Sequence, residues 1–271
     1  MPTPFYHLSI AQNLLDKDTL SPEVQQTLKR QRGAFLFGNT AADVQVLSGQ
    51  ERQETHFFSL PIHNNPVVPW QLMLNTYPDL EYHHRVADTQ AAFIAGYLCH
   101  LLADWRWIVD IFVPAFGLKA EWGDFSQRLY YHNVLRAYLD RQTIAGLPDD
   151  AGEKLGEVKP DSWLPFVNDQ YLYAWRDYLA EQLQPGANVH TIDVFAKRQG
   201  VSPQEYTALL GSEERMENEI FTHLSRQTLT CYRQQIEEES KALVNAYFSG
   251  EFVNRDIDEN LSLTRFQGEE R

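Results

Sequence analysis

Residues 88 to 112, DTQAAFIAGYLCHLLADWRWIVDIF, make a long run that is apolar for most of its length. A periodic stretch of this length outruns any ordinary strand and predicts a core helix. Segments of the same period predict further helices over 8–16, 21–32, 68–77, 124–142, 168–183, 190–199, 203–210, 213–224 and 226–249. Strand-like alternation is nearly absent. Ser21-Pro22-Glu23 and Ser202-Pro203-Gln204 add start signals, each a capping residue before a proline in the first turn. The expected fold class is therefore all-α, a multi-helix bundle.

With 271 residues, 43% of them hydrophobic, the chain can bury one substantial core. Residues 1–145 hold seven of the nine histidines, and 146–271 read as a helical extension packed on that core, with a polar tail after about 250. Residues 145–166 read as the connection. Residues 33–58, GAFLFGNTAADVQVLSGQERQETHFF, are rich in Gly, Asn, Thr and Asp, and read as a long loop of the kind that carries function.

A net charge of -14 gives a surface that repels phosphate backbones and anionic bilayers, so neither nucleic acid nor stable membrane insertion is expected. The opening residues lack the pattern of a signal peptide, and no stretch reaches about 18 uninterrupted apolar residues, so a cytoplasmic location is expected. Cys99 and Cys231 are the only cysteines and are expected to be packing residues. No G-x-S-x-G elbow and no phosphate-cradling glycine motif is present.

Two polar residues interrupt the long apolar run, His100 and Asp104, four positions apart. On a helix they share a face, with Cβ atoms about 5–6 Å apart, and both can reach one ion at the roughly 2.0–2.2 Å of a zinc bond. A hydrogen-bonded His–Asp pair without an ion satisfies the same spacing. His7, Asp43 and His56 are also flanked by apolar residues. With His100 and Asp104 they make three imidazoles and two carboxylates without a thiol, a donor set suited to zinc. Of the adjacent His83 and His84 one can line the cleft, but neither is expected to bind metal; His63, in a turn-like segment, and His190 and His223, without an acidic partner at ligand spacing, read as surface or capping residues. Trp105, Trp107 and Trp122 read as core aromatics or as an aromatic rim for a lipid headgroup or a nucleobase.

FYHLSIA, GNTAAD, THF and GYLCHLLAD, in that order, resemble the motifs of the zinc-dependent phospholipase C family, related to the bacterial phospholipases C and more distantly to the S1/P1 nucleases. The resemblance covers about residues 1–140, with 13 positions from Asp43 to His56 and 44 from His56 to His100. It implies an all-α hydrolase that binds one to three zinc ions and activates water against a phosphoester. Asp43, His56, His100 and Asp104 would form the main site, His7 and a bridging Asp104 a further one, and Asp43 would also orient or deprotonate the water.

The chain departs from the family pattern beyond Asp104. Asp110 stands six positions on, where the family has a histidine, and the family's His-x-x-x-Glu pair is replaced by His132, Arg136 and Asp140. Asp110 and His132 are candidates to complete a second metal site, with a helix-end carboxylate and a packed histidine as the alternatives. Arg136 and Asn39 are the candidate substrate-binding residues. The family's N-terminal amine ligand is expected to be absent. The expected function is a metal-dependent phosphoester hydrolase acting on a small-molecule or lipid-headgroup substrate; the alternative is a non-catalytic helical protein with a structural metal and an interaction surface.

Overall fold

Thr3 starts the first helix: its hydroxyl accepts the Tyr6 backbone N–H, and Pro4 follows where a missing N–H costs nothing. The computed structural model describes residues 1–17, 19–62 and 67–252. Within them the chain is helical, with no strand. His63, read as a surface or capping residue, and the polar tail beyond 252 lie outside the described residues.

The first half runs α1 (Pro4–Asp16), α2 (Pro22–Arg30), α3 (Arg32–Ala41), α4 (Gln45–Ser48), α5 (Arg52–His56), α6 (Pro69–Thr76), α7 (Asp88–Arg106), α8 (Val113–Phe116) and α9 (Phe125–Thr143). The second half continues with α10 (Ala151–Gly156), α11 (Asp169–Gln182), α12 (Thr191–Gln199), α13 (Pro203–Leu210), α14 (Glu213–Met216) and α15 (Arg226–Ser249). Ser202 caps α13 as its sequence signals, whereas Ser21 makes no side-chain cap on α2.

The expected loop at 33–58 is corrected. Apart from short connections it is α3, a tight turn at Ala42–Val44, α4 and α5. Gly33 and Gly38, read as loop formers, lie instead where helices touch, while Gly49 ends α4 in the left-handed region. The expected connection at 145–166 likewise contains α10.

α7 is the axis of the molecule, packed against α3, α15, α6 and α1, and α10 and α11 close over α3. One apolar core runs through both halves, from Phe35, Phe37 and Trp107 to Trp175, Tyr206 and Leu243. Cys99 is buried in it; Cys231, expected there too, faces solvent on α15. No helix among the described residues is long and apolar enough to cross a membrane.

Candidate metal centre

Two glycines set the distance between α3 and α7. A Cβ on Gly96 would lie 2.3 Å from the Phe35 carbonyl oxygen, and one on Gly38 would lie 2.0 Å from that of Phe93. The helices are therefore in backbone contact, at a separation only glycine permits. That contact brings the Asn39 carbonyl on α3 to 2.7 Å from His100 Nδ1 on α7.

A carbonyl can only accept, so His100 Nδ1 carries a proton, and in the neutral ring its Nε2 keeps a lone pair. His56 is fixed in the same way. The Thr55 hydroxyl donates to the Arg52 carbonyl and therefore accepts from His56 Nδ1, at 2.9 Å, which leaves a lone pair on His56 Nε2. The two Nε2 atoms face each other at 3.3 Å, and both rings are completely buried. In the neutral rings two lone pairs at this distance repel; a proton or a metal cation between them removes the repulsion, and without a metal the proton is favoured, because burial is outweighed by Asp104 and Asp43, which raise the His100 pKa.

The carboxylates extend the pattern. Asp104 Oδ2 lies 3.3 Å from His56 Nε2 and 3.7 Å from His100 Nε2, and Asp43 Oδ1 lies 3.5 Å from His56 Nε2. Metal–ligand bonds of about 2.0–2.2 Å in a tetrahedron give ligand–ligand edges of about 3.3–3.6 Å. His7 Nε2 adds a contact of 3.2 Å to Asp104 Oδ1, and its ring stacks on that of His100 with centroids 4.1 Å apart. Two groups of three, His7–His100–Asp104 and Asp43–His56–His100, could each hold a metal ion. Both use His100. An imidazole with Nδ1 committed to a carbonyl has one lone pair to give, so the two groups are alternative descriptions of one ion's surroundings.

Electrostatics follow from burial and from these neighbours. Burial, and then the neighbouring His100, push the His7 imidazole down to about 4, so it is neutral at pH 7. With no ion present, burial works against ionisation of Asp104, but the charge and hydrogen bond of protonated His100, with hydrogen bonds from His56 and His7, outweigh it and hold the carboxyl well below its usual range; a bound ion takes the place of the Nε2 protons that the His100 and His56 bonds require. Burial also opposes the Asp43 charge and is again outweighed, by the His56 hydrogen bond first. Asp43 differs from the others in access: its side chain is 18% exposed, against 1% or less for His56, His100 and Asp104.

All five principal residues thus converge. Of the remaining candidates only Arg136 comes near them. Asn39, expected to bind substrate, turns its buried side-chain amide back to the Phe35 carbonyl, and it is its backbone carbonyl that serves the site. His132, expected as a ligand, accepts the Trp107 indole N–H on Nε2 at 2.9 Å and packs among Phe112 and Phe116. Asp110, the other expected ligand of a second ion, lies in a π-helical turn at Trp107–Phe112, where residues no longer follow the 3.6-residue period, and it joins neither group. Arg136 is within electrostatic reach of Asp43, Asp140 and Asp104, while burial lowers its pKa to about 10.

Of the other histidines, His83 packs on Tyr247 and Phe248, His190 stands at the start of α12, and His223 stacks on Trp122. The Met1 amine, left out of the site by the sequence reading, is within electrostatic reach of Asp104 and Asp43; burial and then Arg136 lower its pKa well below the ordinary value.

Arg52 escaped the sequence reading altogether. Its Nη2 donates to Asp104 Oδ2 at 2.7 Å, and its guanidinium covers the Phe58 ring at 4.7 Å. The signal was available: RQETH places Arg52 and His56 at i and i+4, on one face of a single turn. Phe57, in the left-handed region with φ 59°, ends that turn directly after His56. A groove of about 590 Å³ lined by Gln53, Phe57, Tyr77 and Phe166 among others runs beside α5 and shares no residue with the cluster. Compared with family models, curated proteins and solved structures, the chain finds no match in any of the three.

Proposed function

We propose that the protein is a zinc-dependent phosphoester hydrolase whose ion is held by His56, His100, Asp104 and Asp43, with His7 beside them. The observation that carries this reading is the pair of buried Nε2 atoms facing each other at 3.3 Å, each ring held by a hydrogen bond at Nδ1 on its far side, with Asp104 and Asp43 beside them. Zinc follows from the donor set, imidazoles and carboxylates without thiolate. The motif order shared with the zinc-dependent phospholipase C family supports the reaction class.

When bound, zinc supplies a Lewis acid for a phosphoryl oxygen and lowers the pKa of water to about 7. The chain's own residues do the rest. Asn39 and Thr55 hold the two imidazoles in the ligating tautomer. Asp43, alone among the ligands in reaching solvent, orients the attacking water; its low pKa makes it an acceptor of a hydrogen bond more than a base. The acidic surface favours a soluble phosphoester or a zwitterionic headgroup over nucleic acid or an anionic bilayer.

Near-complete burial of His7, His56, His100 and Asp104 favours a second reading, an ion with a structural role only. Metal analysis of protein purified without chelator, with assays on chromogenic phosphomonoesters and phosphodiesters, separates the two. The hydrolase reading expects turnover that Asp104→Asn abolishes while zinc content falls, a larger loss than the ~10–100-fold typical of an outer-shell change. Full activity with unchanged zinc in that variant refutes the assignment. Bound zinc with no turnover of either substrate leaves the structural role.

A further inference from the structure

We propose that this is a single-ion centre in which the Arg52 guanidinium supplies the second positive charge and offers its unpartnered N–H groups to the non-bridging oxygens of a bound phosphate. The inference rests on the metal-centre reading above and specifies how that centre recognises its substrate.

The count of ions comes first. His100 has one lone pair, and both three-ligand groupings among the described residues depend on it. Of the residues expected to hold a second ion, His132 has given Nε2 to Trp107 and Asp110 joins neither grouping. Asp104, the expected bridge, already meets His7 on Oδ1 and the Arg52 guanidinium on Oδ2. The guanidinium 2.7 Å from Oδ2 is a positive charge already paired with this carboxylate, in the place a second cation would fill.

Recognition follows from what Arg52 leaves unused. Its side chain is 18% exposed, and its Nε and Nη1 are buried with no hydrogen-bond partner among the described residues. Buried N–H donors without acceptors are costly and rare, and those of a fork matched to phosphate geometry point to an oxyanion. Phe58 covers the face of the guanidinium and fixes its plane, so the donors are held in place before a ligand arrives.

Charge points the same way. Asp43, Asp104 and Asp140 contribute three negative charges when ionised; one divalent cation, Arg52 and Arg136 contribute four positive ones. The loaded pocket is then positive by one charge inside a chain of net charge -14, and an anion completes it. Arg136 also has an unpartnered buried Nε, so it offers a second donor toward the same carboxylate cluster.

The test uses full-length protein loaded with zinc and freed of excess metal, titrated calorimetrically with inorganic phosphate, with bound zinc counted by elemental analysis. One zinc per chain and one phosphate per chain are expected. Arg52→Ala should keep its zinc and weaken phosphate binding at least tenfold; Arg52→Lys, which keeps the charge but not the fork, should fall between, and protects the test if the alanine variant does not fold. Two zinc ions per chain, or phosphate affinity indifferent to both substitutions, overturns the inference while leaving the metal centre standing. No bound zinc in the unmodified protein overturns both.

Discussion

His56 and His100 each spend Nδ1 on a fixed oxygen, and the histidines have a further device beneath them. Thr3 caps α1, the helix that carries His7, and its hydroxyl also donates to Asp140, which receives a second hydroxyl from Thr191 at 2.6 Å. Burial raises the Asp140 carboxyl to about 6 against the hydrogen bonds that oppose it. A raised folded-state pKa means that the folded chain holds a proton the unfolded chain releases near pH 4, so stability falls as pH rises from about 4 to about 6 and levels off above that. Asp140→Asn removes the penalty, on the order of 3 kcal/mol at neutral pH. Thermal melts should show the variant more stable than the parent at pH 8 and no more stable at pH 4. An equal difference at both values would mean that Asp140 acts through packing.

Glycines tie the helices to the site. Because Gly96 and Gly38 allow backbone contact between α3 and α7, Gly96→Ala must push the helices apart, at a cost of about 1–3 kcal/mol by analogy with overpacked cores. The shift also lengthens the bond from His100 to Asn39. Urea denaturation should therefore show lower stability together with weaker zinc binding; lower stability with unchanged zinc affinity would separate the helix contact from the site. This contact marks where the sequence stopped being legible. The 3.6-residue period was enough for α7, α9 and α15, and i,i+4 spacing was enough for His100 and Asp104. In residues 33–58, however, Gly33, Gly38, Asn39 and Thr40 are poor helix formers by themselves, and α3 is helical because α7 and α10 press against it. A partner distant in sequence leaves no local trace. The same holds for His132, whose spacing fitted a ligand but whose Nε2 was taken by an indole on another element.

At the scale of the molecule, the core that runs through both halves holds the site rigid from several sides. α15 packs on α7, with Tyr232 donating to the Ala103 carbonyl beside Asp104, and Trp175 of α11 donates to Thr40 beside Asn39. The five principal residues come from α1, the turn after α3, α5 and α7, so their convergence is a property of the whole packing. The sequence offered order and spacing, and RQETH put Arg52 on the face of His56, but a guanidinium reads as an ordinary surface charge until Asp104 is seen against it. The most direct test of the centre is anomalous diffraction at the zinc edge from crystals of protein purified without chelator. One peak within about 2.0–2.2 Å of both His56 Nε2 and His100 Nε2 is the result expected. Well-ordered imidazoles with no anomalous peak between them, after zinc has been supplied, would contradict it.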